Sequence, residues 1–458
     1  MSTATETIVG WHPVDRTWST EILEPGIVPL PSSVVGTLQC TEGWLNWAAD
    51  DWGHIISHRP RAVCTPSEPE QIAALLRFAD EHNITVAARG GAHSAWGQAQ
   101  TRGGIVVDMS GLAEVEDVSS SQMTVQAGAN WSRVLDRAVR YRRTPPVLTD
   151  YLSTSVGGTL VTGGIGGASH RWGLQVDQVS ALEVATPRGG LIWCSRQRNC
   201  DLFDAVRAGH GQVGIITRAV LNLTTAPGWV RWRRLFYSDA SAYLADQRRC
   251  VTDQRFDYLE GQVQTTDEGW GYMLEGVSYL DGPTDPQDPD PLVDDLHHER
   301  GRSTTEVTNY IEFADRMGPA EAVERAKGTW LWPHPWAVAF IPDSQVEAVA
   351  ETTFKEAAAE DIGVLGVVLW YPVNSAASSA PLMRLSEEPI TWMIGLLRTS
   401  APVADPAELE DWHEANLKFV TRAREAGGHA YHVNALSTPA HEWQQHYGPG
   451  WELLSTAK

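Results

Sequence analysis

The chain has 458 residues, 42% of them hydrophobic, enough for two or three packed domains and too apolar for a disordered chain. Its 57 acidic against 35 basic residues leave a formal charge of −22, which repels nucleic acid and anionic membrane surfaces. Five cysteines, with no CxxC and no cysteine and histidine spacing suited to a metal, read as reduced thiols and predict no metal site.

The N-terminus, MSTATETIVGWHPVDRT, has neither a basic n-region nor an apolar stretch behind it, and the longest apolar run, 364–373, is too short for a bilayer. A cytoplasmic protein is expected. Up to about residue 60 tryptophans are scattered without period. From residue 63 the pattern becomes regular: Ser67 is a candidate N-cap, Pro69 a first-turn residue, and Ile72, Leu75, Leu76 and Ala79 recur at helical spacing. Two short β-branched runs, ITVAA at 84–88 and GGIVVDM at 103–109, then flank a glycine-rich turn that contains His93. Gly90 and Gly91 allow backbone N–H groups to converge on an anion, and Arg89 and Ser94 add a charge and a hydroxyl, so the turn forms a cradle for a diphosphate.

A strand at 123–127 and a helix at 131–139 follow, and then a second glycine-dense stretch at 149–173. Gly164, Gly166 and Ser169 come near the GxGxxG fingerprint, but no strand precedes them and no acidic residue follows at the required distance, so a dinucleotide site of that type is not expected. Asp150, flanked by Tyr151 and Leu152 beside glycine backbone, is a carboxylate placed for desolvation and is the candidate general base. Strands at 181–185, 191–195 and 211–223 and a helix at 201–209 come next. Ala226, Pro227 and Gly228 mark a boundary, after which WVRWRRLFY reads as an edge strand. Two runs at 256–264 and 271–280 form a meander, and the acidic, proline-rich segment 281–295 reads as a mobile loop. Beyond it the pattern is strand, helix, strand, strand, then a helix at 409–426 and a return to the first domain.

RGGAHSAWGQA, around His93, resembles the covalent-flavin loop of the vanillyl-alcohol-oxidase-like flavoproteins, specifically the RGxGHSxxGQA pattern of cytokinin dehydrogenases. DYLSTSVGGTL and GQVGIITRA are similar to two further motifs of that family. The resemblance implies an α+β protein: a PCMH-type two-subdomain FAD-binding domain over 1–227, an α+β substrate cap over 228–425, and a return segment at 426–458. It implies FAD bonded to His93 and touched by Ala88, Arg89, Gly90, Gly91, Ala92, Ser94, Gln98, Ala99, Asp150, Ser155, Gly157, Gly158, Thr159, Ile165, Ile216 and Tyr431. Asp150 and Glu275 would be catalytic, with Glu260 in a similar LEG triplet as the rival of Glu275. The implied reaction oxidises a secondary amine, an N6-isoprenoid adenine, to an imine that water splits into adenine and aldehyde, with oxygen or a quinone as electron acceptor.

Several departures from the family pattern are visible. Gly91 replaces a larger residue, Ala92 a glycine and Val161 a serine; His432 stands where leucine is usual; and no tryptophan follows Tyr371, Pro372, Val373 and Asn374. The family's last flavin-contacting segment would begin beyond Lys458. These leave two alternatives open: a flavin oxidase of a natural-product amine or alcohol, and a flavin-binding protein without turnover.

Overall fold

The computed structural model describes residues 7–266, 269–357, 359–363, 365–401 and 406–458, and distributes their buried apolar side chains over two large cores. Three sheets carry the architecture. In the first, Ala62–Cys64, Ile105–Asp108 and Val86–Arg89 run parallel in that order, with Leu38–Gln39 antiparallel on the outside. Ile105, Val106 and Val107 are fully buried, as expected for a parallel strand covered on both faces. The helix Pro69–Glu81 packs Ile72, Leu75 and Phe78 into this layer. Its cap is Glu68, where Ser67 was expected: the Gln71 side chain reaches back to accept the N–H groups of both Ser67 (2.8 Å) and Glu68 (3.2 Å), so the helix starts one residue later.

The second sheet is antiparallel, in the order Leu191–Ser195, Val179–Ala185, Ile215–Asn222, Gln122–Gln126, Val115–Val118. The third has eight antiparallel strands, in the order Thr304–Asn309, Trp229–Tyr237, Gly269–Leu280, Tyr258–Thr266, Val367–Asn374, Ile390–Leu397, Ala337–Pro342, His429–Ala430. The strand Trp229–Tyr237 is therefore not at the edge; the polar TTEVTN strand, Thr304–Asn309, covers it, and its weak apolar signal hid it in the sequence.

The acidic loop is held down rather than loose. Arg231 donates to the carbonyls of Pro286 (3.2 Å) and Asp288 (2.6 Å), Arg233 binds the Asp290 carboxylate, and Arg255 binds Asp295 at 2.6 Å. The arginines come from the sheet and the helix end beneath, so the pairing could not be read from the loop's own composition. After His429–Ala430 the helices Ala440–Tyr447 and Gly450–Ala457 bring Tyr447 and Leu454 into the core shared with the first two sheets. Among the described residues no helix is long and apolar enough to cross a membrane.

Candidate active site

Parallel neighbours need a crossover, usually a helix, yet Val86–Arg89 and Ile105–Asp108 are joined by the loop 90–104 without one. A long loop without internal secondary structure in a packed domain needs outside anchors. Asp51 supplies one, its Oδ2 accepting from the Ser94 hydroxyl (2.8 Å) and the Gly97 N–H (2.7 Å); burial raises the Asp51 pKa to about 6, against these hydrogen bonds. Gln98 supplies another, donating to the Asn434 carbonyl at 3.2 Å, while Asn434 pairs with both backbone groups of Val338. The buried Arg89 lies 4.3 Å above the Trp47 ring and contacts the Asp50 carbonyl.

The loop meets the second glycine-dense stretch face to face. A Cβ on Gly90 would fall 1.9 Å from Ser155 Oγ, and one on Gly166 would fall 1.8 Å from the Leu148 carbonyl, so both contacts require glycine. Ser155 caps the short helix Val156–Leu160 by accepting from Gly158 N at 3.3 Å. Ala88, Gly91, Gln98 and Gly158 are exposed and Ala99 and Gly157 half-buried, leaving an open backbone face along this junction. Thr159 is turned inward, its hydroxyl accepting from Trp131 Nε1 at 2.9 Å. Ile165 and Ile216 are buried in the core below, and the Tyr431 hydroxyl accepts from Gly164 N at 3.3 Å. His432 packs against Trp443 (4.3 Å), His446 (4.1 Å) and His210 (5.6 Å).

His93 lies between Trp52 (ring centroids 4.7 Å apart) and Tyr151 (4.8 Å), with Trp336 edge-on at 5.4 Å. Burial lowers its pKa to about 3, so the imidazole is neutral, and among the described residues no hydrogen bond occupies either ring nitrogen. Ala92, just before it, has φ +51°, a left-handed conformation that costs an L-residue about 1–2 kcal/mol. Ala92→Gly is therefore expected to raise stability by up to about 1 kcal/mol, after the extra freedom of glycine in the unfolded chain is subtracted. A lower urea midpoint for the variant would contradict this.

Asp150 faces the eight-stranded sheet. Its Oδ1 accepts from Tyr258 Oη (2.7 Å) and from an Arg316 guanidinium nitrogen (2.7 Å). Tyr258 Oη is also in very short contact with Glu260 Oε2, which lies 3.3 Å from the same Arg316 nitrogen. Glu275 stands directly across the strand pair from Glu260, 4% exposed, and makes no hydrogen bond to this group. Of the two LEG glutamates, Glu260 is therefore the one bonded into the group around Asp150. The alternation Tyr258, Glu260, Gln262, polar on one face of an otherwise apolar strand, was the available signal; Arg316 and Trp52 had none. Burial pushes the Asp150 carboxyl up, but Arg316 and the bonds from Glu260 and Tyr258 outweigh it and hold it below the ordinary carboxylate range. Burial and the Asp150 charge push Glu260 well above that range, and burial raises Glu275 too.

The segment carrying Arg316 lies over the site. Its helix, Met317–Lys327, has no buried side chain, and Trp330 beyond it rests 4.4 Å from Trp52 and 5.6 Å from Tyr151. Beside Asp150 lies a small recess of about 20 Å³, room for about one water, lined by Pro145, Tyr279, Tyr310 and Phe313.

Two solved structures share the fold. One is 6-hydroxy-D-nicotine oxidase from Arthrobacter nicotinovorans, with a TM-score of 0.70 at 18% identity over 92% of this chain and 93% of that one. The other is a chitooligosaccharide oxidase, with a TM-score of 0.70 at 15% identity over 91% and 92%. Residues 60–195 match the FAD binding domain family. The open glycine junction and the unbonded neutral imidazole fit FAD, and the molecule is an FAD-dependent oxidoreductase of the PCMH-type fold. Residues 227–271 and 265–458 match the family described as cytokinin dehydrogenase 1, FAD and cytokinin binding. An uncharacterized oxidoreductase of the fasciation locus of Rhodococcoides fascians is 37% identical, over 90% of this chain and 93% of its own length. Cytokinin dehydrogenase 7 of Oryza sativa subsp. japonica is 34% identical over 93% and 89%, and cytokinin dehydrogenase 2 of Arabidopsis thaliana 32% over 94% and 92%. The chain belongs to the cytokinin dehydrogenase family.

Proposed function

We propose that this protein oxidises the carbon–nitrogen bond of a secondary amine carried on a purine, an N6-isoprenoid adenine, with FAD bonded to His93. Bound FAD supplies the acceptor that takes a hydride from the carbon next to the nitrogen. The observation that carries the reading is the group Asp150, Tyr258, Glu260 and Arg316. A phenol has one proton, and Tyr258 Oη lies within bonding distance of two carboxyl oxygens and a guanidinium donor. Both carboxyl contacts are satisfied when Tyr258 donates to an ionised Asp150 and accepts from a protonated Glu260. Asp150 is then the ionised group that takes the N–H proton as the hydride leaves, and Arg316 stabilises its charge. The amine becomes an imine, and water adding to it releases adenine and an aldehyde.

Trp330, Trp52 and Tyr151 wall the region around His93 with flat apolar surface, which suits a planar ring and keeps water from the reacting carbon. Anaerobic addition of N6-isopentenyladenine to the yellow protein should bleach the flavin's visible absorption and yield adenine and aldehyde in equal amounts. An unchanged spectrum with the purine, alongside bleaching by another amine or an alcohol, would replace this substrate assignment by the broader oxidase reading.

A further inference from the structure

Arg316 occupies an unusual place for a charged residue. It immediately precedes the helix Met317–Lys327, its side chain is 15% exposed, and its guanidinium lies between the Tyr258 ring (5.2 Å) and the Phe313 ring (4.7 Å). From there it reaches Asp150 Oδ1, Tyr258 Oη and Glu260 Oε2. The other groups facing this point are Glu275 on the neighbouring strand, Tyr371 near Glu260, and Arg234 near Glu275. Glu260 and Glu275 are 1% and 4% exposed, and with one phenol proton for two carboxyl oxygens one carboxyl must carry its own proton, which burial and the Asp150 charge favour on Glu260. At the shared phenol this leaves one anion, Asp150, already matched by one cation, Arg316, at 2.7 Å.

We propose that Arg316 sets the charge class of the substrate: with Asp150 already paired, the site admits a neutral N–H donor and rejects an amine that carries a proton. The inference rests on the amine-oxidation reading above and deepens it. A protonated amine would place a second cation beside the guanidinium in a site with little water to separate them. An N–H on a heteroaromatic ring is uncharged at neutral pH because its lone pair is delocalised into the ring, and it keeps the proton that Asp150 accepts. Arg316 is a positioning residue in this scheme, acting on substrate through Asp150.

Equilibrium binding to the oxidised holoprotein tests this without turnover. The probes are an N6-alkyladenine with a saturated side chain and an aliphatic secondary amine of the same shape, whose ammonium form loses its proton near pH 10, as a lysine does. Wild type should bind the purine with a Kd flat between pH 6 and about 8.5. It should bind the aliphatic amine about tenfold more tightly for each unit of rising pH, because only the neutral fraction is admitted. In Arg316→Met the pH slope for the aliphatic amine should vanish and its affinity relative to the purine rise at least roughly tenfold; Arg316→Lys, which keeps the charge, should retain the slope. If the variants do not fold, the wild-type slopes decide alone. A flat profile for the aliphatic amine in wild type overturns the proposal while leaving amine oxidation intact. Failure of both amines to bind overturns the proposal and the reading beneath it together.

Discussion

Replacing Asp150 by asparagine is expected to slow anaerobic flavin reduction by roughly 10²- to 10⁴-fold, the range that positioned general bases contribute, with little change in flavin content. Asparagine keeps an oxygen to accept from Tyr258 or Arg316, so the contact with the eight-stranded sheet survives. It loses the charge, and that loss redistributes the neighbours. The Asp150 anion is one of the reasons Glu260 is held neutral, and Arg316, without its main partner, lies 3.3 Å from Glu260 Oε2. Glu260 should therefore ionise more readily in the variant and act as a poorer, misplaced base, so that residual activity rises with pH. Glu260→Gln alone, which leaves the Asp150 anion in place, should cost less than Asp150→Asn, and the double variant should lose the residual activity. Stopped-flow reduction of the three variants by one substrate measures all of this. A rate for Asp150→Asn within about threefold of wild type would remove Asp150 as the base.

His93→Ala should convert a flavin that stays on the polypeptide through acid or detergent denaturation into one that is released completely. The neutral, unbonded imidazole between Trp52 and Tyr151 is what a covalent bond to the flavin needs: a free lone pair with no competing proton. With a pKa near 3, the histidine stays deprotonated from pH 5 to 8, so covalent incorporation should be independent of pH across that window as far as His93 is concerned. The variant retains Arg89, Gly90, Ser94 and Ser155 and should still bind FAD reversibly. Wild-type protein that sheds all its flavin on denaturation would exclude the bond.

Periodicity and punctuation made much of the fold legible. The continuous apolar runs VVLWYPVN and WMIGLL match the strands Val367–Asn374 and Ile390–Leu397, and the helix beginning at Trp131 falls where its apolar spacing placed it. Elements without an apolar period were missed or misplaced. Thr304–Asn309 is polar because it covers an edge, and the proline-rich loop is ordered by arginines that lie 37 to 57 residues away in the chain. The site divides in the same way. His93 and Asp150 sit in motifs dense enough in glycine to stand out, whereas Arg316 reaches Asp150 across 166 residues and Tyr258 across 58, distances over which a single sequence carries no pairing information. Glu260 and Glu275 occupy the same triplet on paired strands, and only the strand register with its neighbours tells them apart.

The anchoring of the His93 loop by Asn434 fixes an order of events during synthesis. Gln98 and Asn434 are 336 residues apart. At about 5–20 residues per second, the loop leaves the ribosome tens of seconds before its distal anchor exists. The first sheet, whose strands are local, can form in that interval, but the loop cannot settle against Asn434, and Tyr431, which closes on Gly164, is equally late. Attachment of FAD to His93, as proposed above, would then follow completion of the chain.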